Sequence, residues 1–281
     1  MEPTSIEIRP LVTPGELQAC VELQQETWGE AFSDLVPGSI LKVSQRIGGV
    51  ALGAFDASGA MLGFVFGLTG VERGEIVHWS DMLAVRPEAR NLGIGRKLKE
   101  QQRRIVRELG ATVIYWMFDP LVARNAHLNF NRLGVRLVEY AEDMYGITDS
   151  TLHGSLPTDR LIVAWPTEEQ ECRLRRADAE RASASADARE SPIVTSEWIG
   201  TAASASILPH CVRIAIPTDV EPLLAIPSDQ AGHWRQRVRR AMQWTLARGY
   251  TVRGFQLDEA AQRGYYLMTK SPRLTPANHH A

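Results

Sequence analysis

Over the first 165 residues, apolar side chains come in short blocks whose spacing switches between the two of a strand and the 3.6 of a helix, with turn residues at each switch. Ile6 to Leu11 reads as a strand. Thr13-Pro14-Gly15-Glu16 opens a helix that runs to about Trp28 with Leu17, Cys20, Val21 and Leu23 as its apolar positions, and a shorter helix follows over Ser39 to Ile47. Gly48 to Val71 approaches the roughly 20 apolar residues of a membrane helix. Asp56-Ala57-Ser58-Gly59 breaks that run with turn chemistry, so the pattern predicts a hairpin of two buried strands, Val50 to Phe55 and Ala60 to Thr69. Glu75 to Val85 is a further strand, broken by Arg86-Pro87-Glu88. From Gly93, the residues Ile94, Leu98, Ile105 and Leu109 recur at helical spacing until Gly110 ends the helix. A strand over Val113 to Phe118, a short helix over Asn125 to Leu133 closed by Gly134, and strands over Val135 to Tyr145 and Leu161 to Trp165 complete the series. The order βααβββαβαββ predicts an α/β fold of the α+β kind, a mixed sheet covered by helices.

The pattern stops after Trp165. Residues 167 to about 195 mix Arg, Asp, Glu, Ala and Ser with hardly an apolar position, the signature of a solvated helix or a disordered linker. Periodicity returns near Ile207. Val212 to Ile216 reads as a strand, Ala231 to Arg248 as a helix with a Trp234, Val238, Ala241, Met242 and Thr245 stripe, and Tyr250 to Leu257 and Gly264 to Thr269 as strands. The chain thus divides into residues 1–166, a polar linker 167–205, a small βαββ module 206–270 that packs separately, and a disordered tail 271–281.

Composition narrows the classes further. With 44% apolar and 23% charged residues, the chain is neither collagenous, disulfide-rich nor disordered throughout. Thirty-one basic against thirty-three acidic residues give a net charge of −2, too balanced for a chain that coats nucleic acid or an anionic membrane. Cys20, Cys172 and Cys211 form no CxxC pair and leave one sulfur over, so neither a disulfide framework nor a cysteine metal site is expected. The first residues carry Glu2, Glu7 and Arg9 among apolar positions and lack the continuous apolar core of a signal peptide, so a cytoplasmic setting is expected.

The segment richest in chemistry is Val85-Arg86-Pro87-Glu88-Ala89-Arg90-Asn91-Leu92-Gly93-Ile94-Gly95, between a strand and a helix. Unpaired N–H groups and the positive end of the dipole meet at such a junction, and Gly93 and Gly95 let an anion approach the backbone, a pyrophosphate being the natural guest. A dinucleotide fingerprint would need glycine where Leu98 stands, and a Walker A loop would need Lys where Arg96 follows Gly95. What the segment resembles is motif A of the GCN5-related N-acetyltransferase (GNAT) superfamily, V-x-x-x-x-[R/Q]-x-x-G-x-[G/A], matched at every fixed position from Val85 to Gly95. Arg124-Asn125-Ala126-His127-Leu128-Asn129-Phe130-Asn131-Arg132-Leu133-Gly134 resembles that superfamily's motif B with Ala126, Arg132 and Gly134 in register. The usual Tyr is Phe130 here, and Asn125 stands one column off because Arg124 occupies the aligned place. Asp143-Met144-Tyr145-Gly146, Leu152 to Arg160 and the Trp234-Arg235 helix are similar to a long-chain subgroup of predicted acetyltransferases.

The resemblance implies a GNAT fold and acetyl-CoA or another acyl-CoA as co-substrate, with no metal. Leu83, Ala84 and Val85 would present the strand edge to pantetheine. Arg90, Asn91, Leu92, Gly93, Ile94, Gly95 and Arg96 would line the phosphates, with Asn125 and Phe130 contributing from motif B. Without the motif B phenol, the proton for the leaving thiolate falls to water or to another phenol, Tyr140 or Tyr145. The general base is expected on the strand before motif A, where strand parity sets Trp79, Asp81, Leu83 and Val85 on one face. Trp79 holds the column of a frequent family Glu, so Asp81 is the first candidate and His78 the second. Trp79, Trp116 and Phe118 would wall an acceptor pocket, and His153 and Arg160 would recognise a carboxylate on the acceptor. The expected activity is N-acyl transfer to a small-molecule amine, an amino acid among the candidates, with a homodimer common in the family. The alternative is an inactive GNAT scaffold that binds coenzyme A or another ligand as a sensor or assembly module.

Overall fold

The computed structural model describes residues 6–30, 32–146, 157–203, 205, 207–225 and 229–270. The predicted positions of His153 and of the 271–281 tail lie outside the described residues. Local chemistry sets the first elements. After strand β1 (Glu7–Pro10), helix α1 (Pro14–Trp28) starts on a capping box: Glu16 N–H donates to Thr13 Oγ1 at 3.2 Å and Thr13 N–H to Glu16 Oε2 at 3.0 Å. Helix α2 spans Gly38–Arg46. Strands β2 (Val50–Phe55) and β3 (Met61–Glu72) form the expected hairpin, its turn closed by Asp56 Oδ1, which accepts the Ser58 and Ala60 N–H groups at 2.9 Å each. Strand β4 (Glu75–Val85), helix α3 (Ile94–Glu108), strand β5 (Val113–Phe118), helix α4 (Ala123–Ala126), strand β6 (Arg136–Ala141) and strand β7 (Arg160–Pro166) follow. A seven-stranded mixed sheet results, in the order β1-β2-β3-β4-β5-β7-β6, with β1 to β4 antiparallel and β4 parallel to β5.

Two irregularities shape this sheet. Along β3 and β4 the pairing steps from Phe66↔Met82 to Gly67↔Ser80, leaving Asp81 as the extra residue of a β-bulge. The bulge overturns the single face expected for Trp79, Asp81, Leu83 and Val85. His78 and Ser80 meet α3, Met82 and Ala84 pack with Leu17, Leu23, Phe64 and Phe66 against α1, and Leu83 and Val85 are back on the α3 side near Gly95. The second irregularity is that β4 and β5 pair only at Val77↔Val113, His78↔Ile114 and Trp79↔Tyr115. From Ser80 and Trp116 onward, no further β4–β5 pair is formed among the described residues.

The chain separates into two compact units. The first holds residues 6–117 and 163–172, and the second holds 118–146, 157–162 and 173–270. In the second unit, α4 runs on as a π-turn over His127–Leu133, closed by Gly134 at φ 75° with its N–H donated back to Asn129 O. Helices α5 (Glu169–Ala184), α6 (Ala186–Glu190) and α7 (Ser196–Ala202) occupy the polar stretch. Strand β8 (Cys211–Pro217), helix α8 (Glu221–Ala225), helix α9 (Gln230–Leu246) and strands β9 (Tyr250–Asp258) and β10 (Arg263–Lys270) give an antiparallel sheet in the order β8-β10-β9. This small sheet shares a core with the motif B segment. Phe130, 2% exposed, meets Phe118 and Tyr266 edge to face, and Asn131 pairs with the Phe255 backbone through both its amide atoms, at 2.6 and 2.8 Å.

Candidate active site

The junction of β4 and α3 is built to leave donors open. Pro87–Ala89 forms one 3-10 turn after Arg86, Arg90 is extended, Asn91 has φ 66°, and Gly93 enters the helix at φ 74°. A Cβ on Gly93 would meet nothing within 4 Å, so glycine is required there for its backbone angle and not for space. The first helical bond is Lys97 N–H to Gly93 O at 3.0 Å, so the N–H groups of Ile94, Gly95 and Arg96 lie ahead of the ladder, and no side chain among the described residues caps the helix. Arg90, Asn91 and Gly93 are exposed, and Leu92 is half-exposed. Ile94 is buried and offers only its backbone. Arg96 is exposed, its Nε 2.8 Å from Glu100 Oε1. Gly95 faces Leu83 and Val85, whose methyls would lie 3.6 and 3.9 Å from a Cβ placed on it.

Asp81 projects from the bulge as an exposed carboxylate. Its pKa is raised: the protein around it removes solvent, and the charge of Asp34, between α1 and α2, adds to this, against a hydrogen bond from the Trp79 side chain. Trp79, Asp81 and Asp34 are thus neighbours on the side away from α3.

His78 sits differently. It is fully buried, its Nδ1 is 2.9 Å from Thr69 Oγ1 and its Nε2 is 3.0 Å from Gln102 Nε2. Thr69 gives its hydroxyl proton to Gly48 O at 2.5 Å, so it accepts from His78 Nδ1–H, and Nε2 accepts from the Gln102 amide. Burial first, and the nearby Lys99 second, lower its pKa to about 4, and the ring is held neutral with both nitrogens engaged.

Pattern reading passed over two buried polar residues beside it, Gln102 and Lys99. Lys99, 4% exposed, donates to Ser80 Oγ at 2.7 Å and lies 3.8 Å from the centre of the Trp116 ring. Trp116 is itself 5% exposed and meets Trp165 edge to face, so its indole lies under α3.

The remaining predicted residues belong to the second unit. Asn125 is half-buried on α4, with its N–H on Val122 O. Tyr145 is 48% exposed, whereas the Tyr140 hydroxyl is committed to Asp159 and its pKa is pushed up by burial and then by that hydrogen bond. Arg160, 5% exposed, lies 3.9 Å from Asp119 Oδ2, donates to Asp159 O at 2.8 Å and sits over the Tyr145 ring. Burial alone would raise the Asp159 carboxyl. The hydrogen bonds from Arg239 and Tyr140 outweigh it, and the group is held below the usual carboxylate range. Among the described residues no group of three or more His, Cys, Asp or Glu is placed to hold a metal, and no helix is long and apolar enough to cross a membrane.

The site thus joins a mixed sheet whose central parallel pair opens to a glycine-bearing helix start without a side-chain cap among the described residues. Residues 17–135, somewhat under half of the chain, match the acetyltransferase (GNAT) family. No curated protein matches the chain. Solved structures resemble it distantly. The ribosomal-protein-S18-alanine N-acetyltransferase from Escherichia coli is 19% identical, over 58% of this chain and 95% of that one, with a TM-score of 0.45. A nourseothricin acetyltransferase is 20% identical over 59% and 100%, with a TM-score of 0.44. An aminoglycoside 6'-N-acetyltransferase complexed with coenzyme A is 15% identical over 58% and 97%, with a TM-score of 0.44.

Proposed function

We propose that the chain is an acyl-CoA-dependent N-acyltransferase that passes the acyl group directly to the amine of a small acceptor. The observation that carries this is the β4 edge from Ser80 to Val85, free of β5 and leading straight to the open amides of Ile94, Gly95 and Arg96. A strand edge without a neighbour offers N–H and C=O groups to an extended, amide-bearing chain, as pantetheine is, and the helix start suits the pyrophosphate that follows it. In this reading Leu83, Ala84 and Val85 bind through backbone atoms, with Arg90 and Arg96 flanking the phosphates.

Asp81 is the base. Its raised pKa strengthens it as a proton acceptor, and Asp34 beside it favours a cationic acceptor amine close by. The Asp81 carboxylate takes a proton from that ammonium, directly or through one water, and the freed amine attacks the thioester carbonyl. A backbone N–H of the free β4 edge stabilises the developing oxyanion. His78, neutral with both nitrogens engaged, holds the sheet under the bulge and takes no part in proton transfer. Water returns a proton to the thiolate.

The test is a thiol-release assay in which acetyl-CoA and larger acyl-CoA donors are crossed with amino acids and polyamines. Amine-dependent release is expected. Coenzyme A binding without turnover for any pair would support a scaffold role instead.

A further inference from the structure

Lys99 is one of the least exposed ionisable side chains in the first unit, and nothing in the transfer chemistry above uses it. It stands on α3 one turn after Gly95 and meets β4 at Ser80, the residue at which β4 leaves β5. Its amine nitrogen donates one hydrogen bond, to Ser80 Oγ at 2.7 Å, and rests on the Trp116 ring of β5 at 3.8 Å. The amine therefore bridges the two strands at the apex of their divergence, on the helix side. Among the described residues no carboxylate lies within ion-pair distance of it, and burial accordingly pushes its pKa down. A lysine set 4% exposed against an indole and a hydroxyl, with no anion among the described residues, is biased by burial towards its neutral form, and an anion brought beside it would favour the charged form.

The apex is also where the acyl end of the donor arrives. If pantetheine follows the free edge from Val85 back towards Ser80, the thioester stops where pairing with β5 begins, next to this amine. We infer that Lys99 and Ser80 form an acyl-selecting site for a donor whose acyl group ends in a carboxylate, a dicarboxylic acyl-CoA such as succinyl- or malonyl-CoA. This rests on the acyltransferase reading above and names its donor class. The terminal carboxylate pairs with Lys99 Nζ, which takes up a proton as the pair forms, and accepts from the Ser80 hydroxyl, while the Trp116 face walls the methylene chain. A neutral acyl group of the same length leaves the amine without an anion and gains none of this.

The experiment measures equilibrium binding, so that no acceptor need be known. Coenzyme A, butyryl-CoA and succinyl-CoA, the last two matched in carbon count, are titrated calorimetrically into the full chain, into Lys99→Met, which keeps the length without the charge, and into Lys99→Gln, which keeps a donor for Ser80. Circular dichroism reports the fold of each variant. The expected result is succinyl-CoA binding at least tenfold tighter than butyryl-CoA to the native chain. In either folded variant that ratio falls to about one, while affinity for coenzyme A itself stays within twofold. Equal affinities of the native chain for the two donors, or a succinyl preference that survives in a folded variant, overturns the inference and leaves the acyltransferase reading standing. Absence of coenzyme A binding to the native chain overturns both.

Discussion

The guanidinium of Arg235, on α9, grips both carboxylate oxygens of Asp119, at the end of β5, with Nη1 2.9 Å from Oδ1 and Nη2 2.5 Å from Oδ2. The pair lies among further ion pairs, since Arg239 on the same helix holds Asp159 and Glu142, and Asp159 is fully buried. Arg235 is 3% exposed and its Nε has no hydrogen-bond partner among the described residues, so the fork to Asp119 is its main compensation for burial. Removing one partner of such a pair leaves the other charge stranded. Arg235→Met is expected to cost about 3–5 kcal/mol in urea denaturation. Asp119→Asn, which keeps an acceptor oxygen, should cost less. If Arg235→Met unfolds at the native urea midpoint, the network contributes nothing.

His78 gives the fold a defined acid sensitivity. Its pKa in the folded chain is about 4, against about 6.5 for an unfolded histidine, so the unfolded state takes up a proton first as pH falls. The stability associated with the neutral ring is fully present above about pH 6.5 and is lost between there and about pH 4, at roughly 1.4 kcal/mol per pH unit. Denaturation of the native chain and of His78→Gln at pH 7.5 and pH 5 should show the native chain losing about 2 kcal/mol relative to the variant at the lower pH. An unchanged difference between the two pH values would mean that the histidine takes up its proton as readily in the folded chain as in the unfolded one.

Asp81 predicts a kinetic limb. Because its pKa is raised by desolvation and by Asp34, activity should fall as the solution is acidified through a pKa above the ordinary carboxylate value of about 4. Asp81→Asn should lower kcat by roughly 10²- to 10⁴-fold and abolish that limb, with coenzyme A affinity nearly unchanged. Asp34→Asn, which removes the neighbouring charge, should move the limb to lower pH with much less loss of kcat. A native acid limb that persists in Asp81→Asn would assign it to another group.

Residues whose signal is local were legible in the sequence. The Thr13/Glu16 capping box, the Asp56 turn, and Gly93 and Gly95 ahead of a periodic helix each carry their own chemistry, and α1, the β2–β3 hairpin and α3 formed where the pattern placed them. The faces of β4 were not legible. A bulge is a property of two strands together, and the extra residue at Asp81 exists only because Gly67 pairs with Ser80 while Phe66 pairs with Met82. Lys99 and Gln102 were hidden by their polarity, although with Ile94, Leu98 and Val106 they form the buried face of α3. Helical spacing alone marks them, and hydrophobicity obscures them. Within the polar stretch, alanine did the packing. Ala179 and Ser183 lie against Gly254 of β9, where a Cβ would come within 3.1 Å of each, and such small contacts leave little trace in an apolar pattern.

The central claim is that the start of α3 holds the pyrophosphate of coenzyme A, and Gly95 tests it with the fold as an internal control. Its Cβ position is open to ordinary contact with Leu83 and Val85, so Gly95→Ala should fold and bind. Gly95→Asp places a negative charge in the first turn, which the helix dipole favours for folding but which repels a phosphate from the same amides. Calorimetric titration of coenzyme A should therefore show Gly95→Asp, with thermal stability equal to or above that of the native chain, losing about 30-fold or more in affinity, equivalent to about 2 kcal/mol. Native affinity in a folded Gly95→Asp chain would contradict the assignment of this loop and, with it, the account of the site.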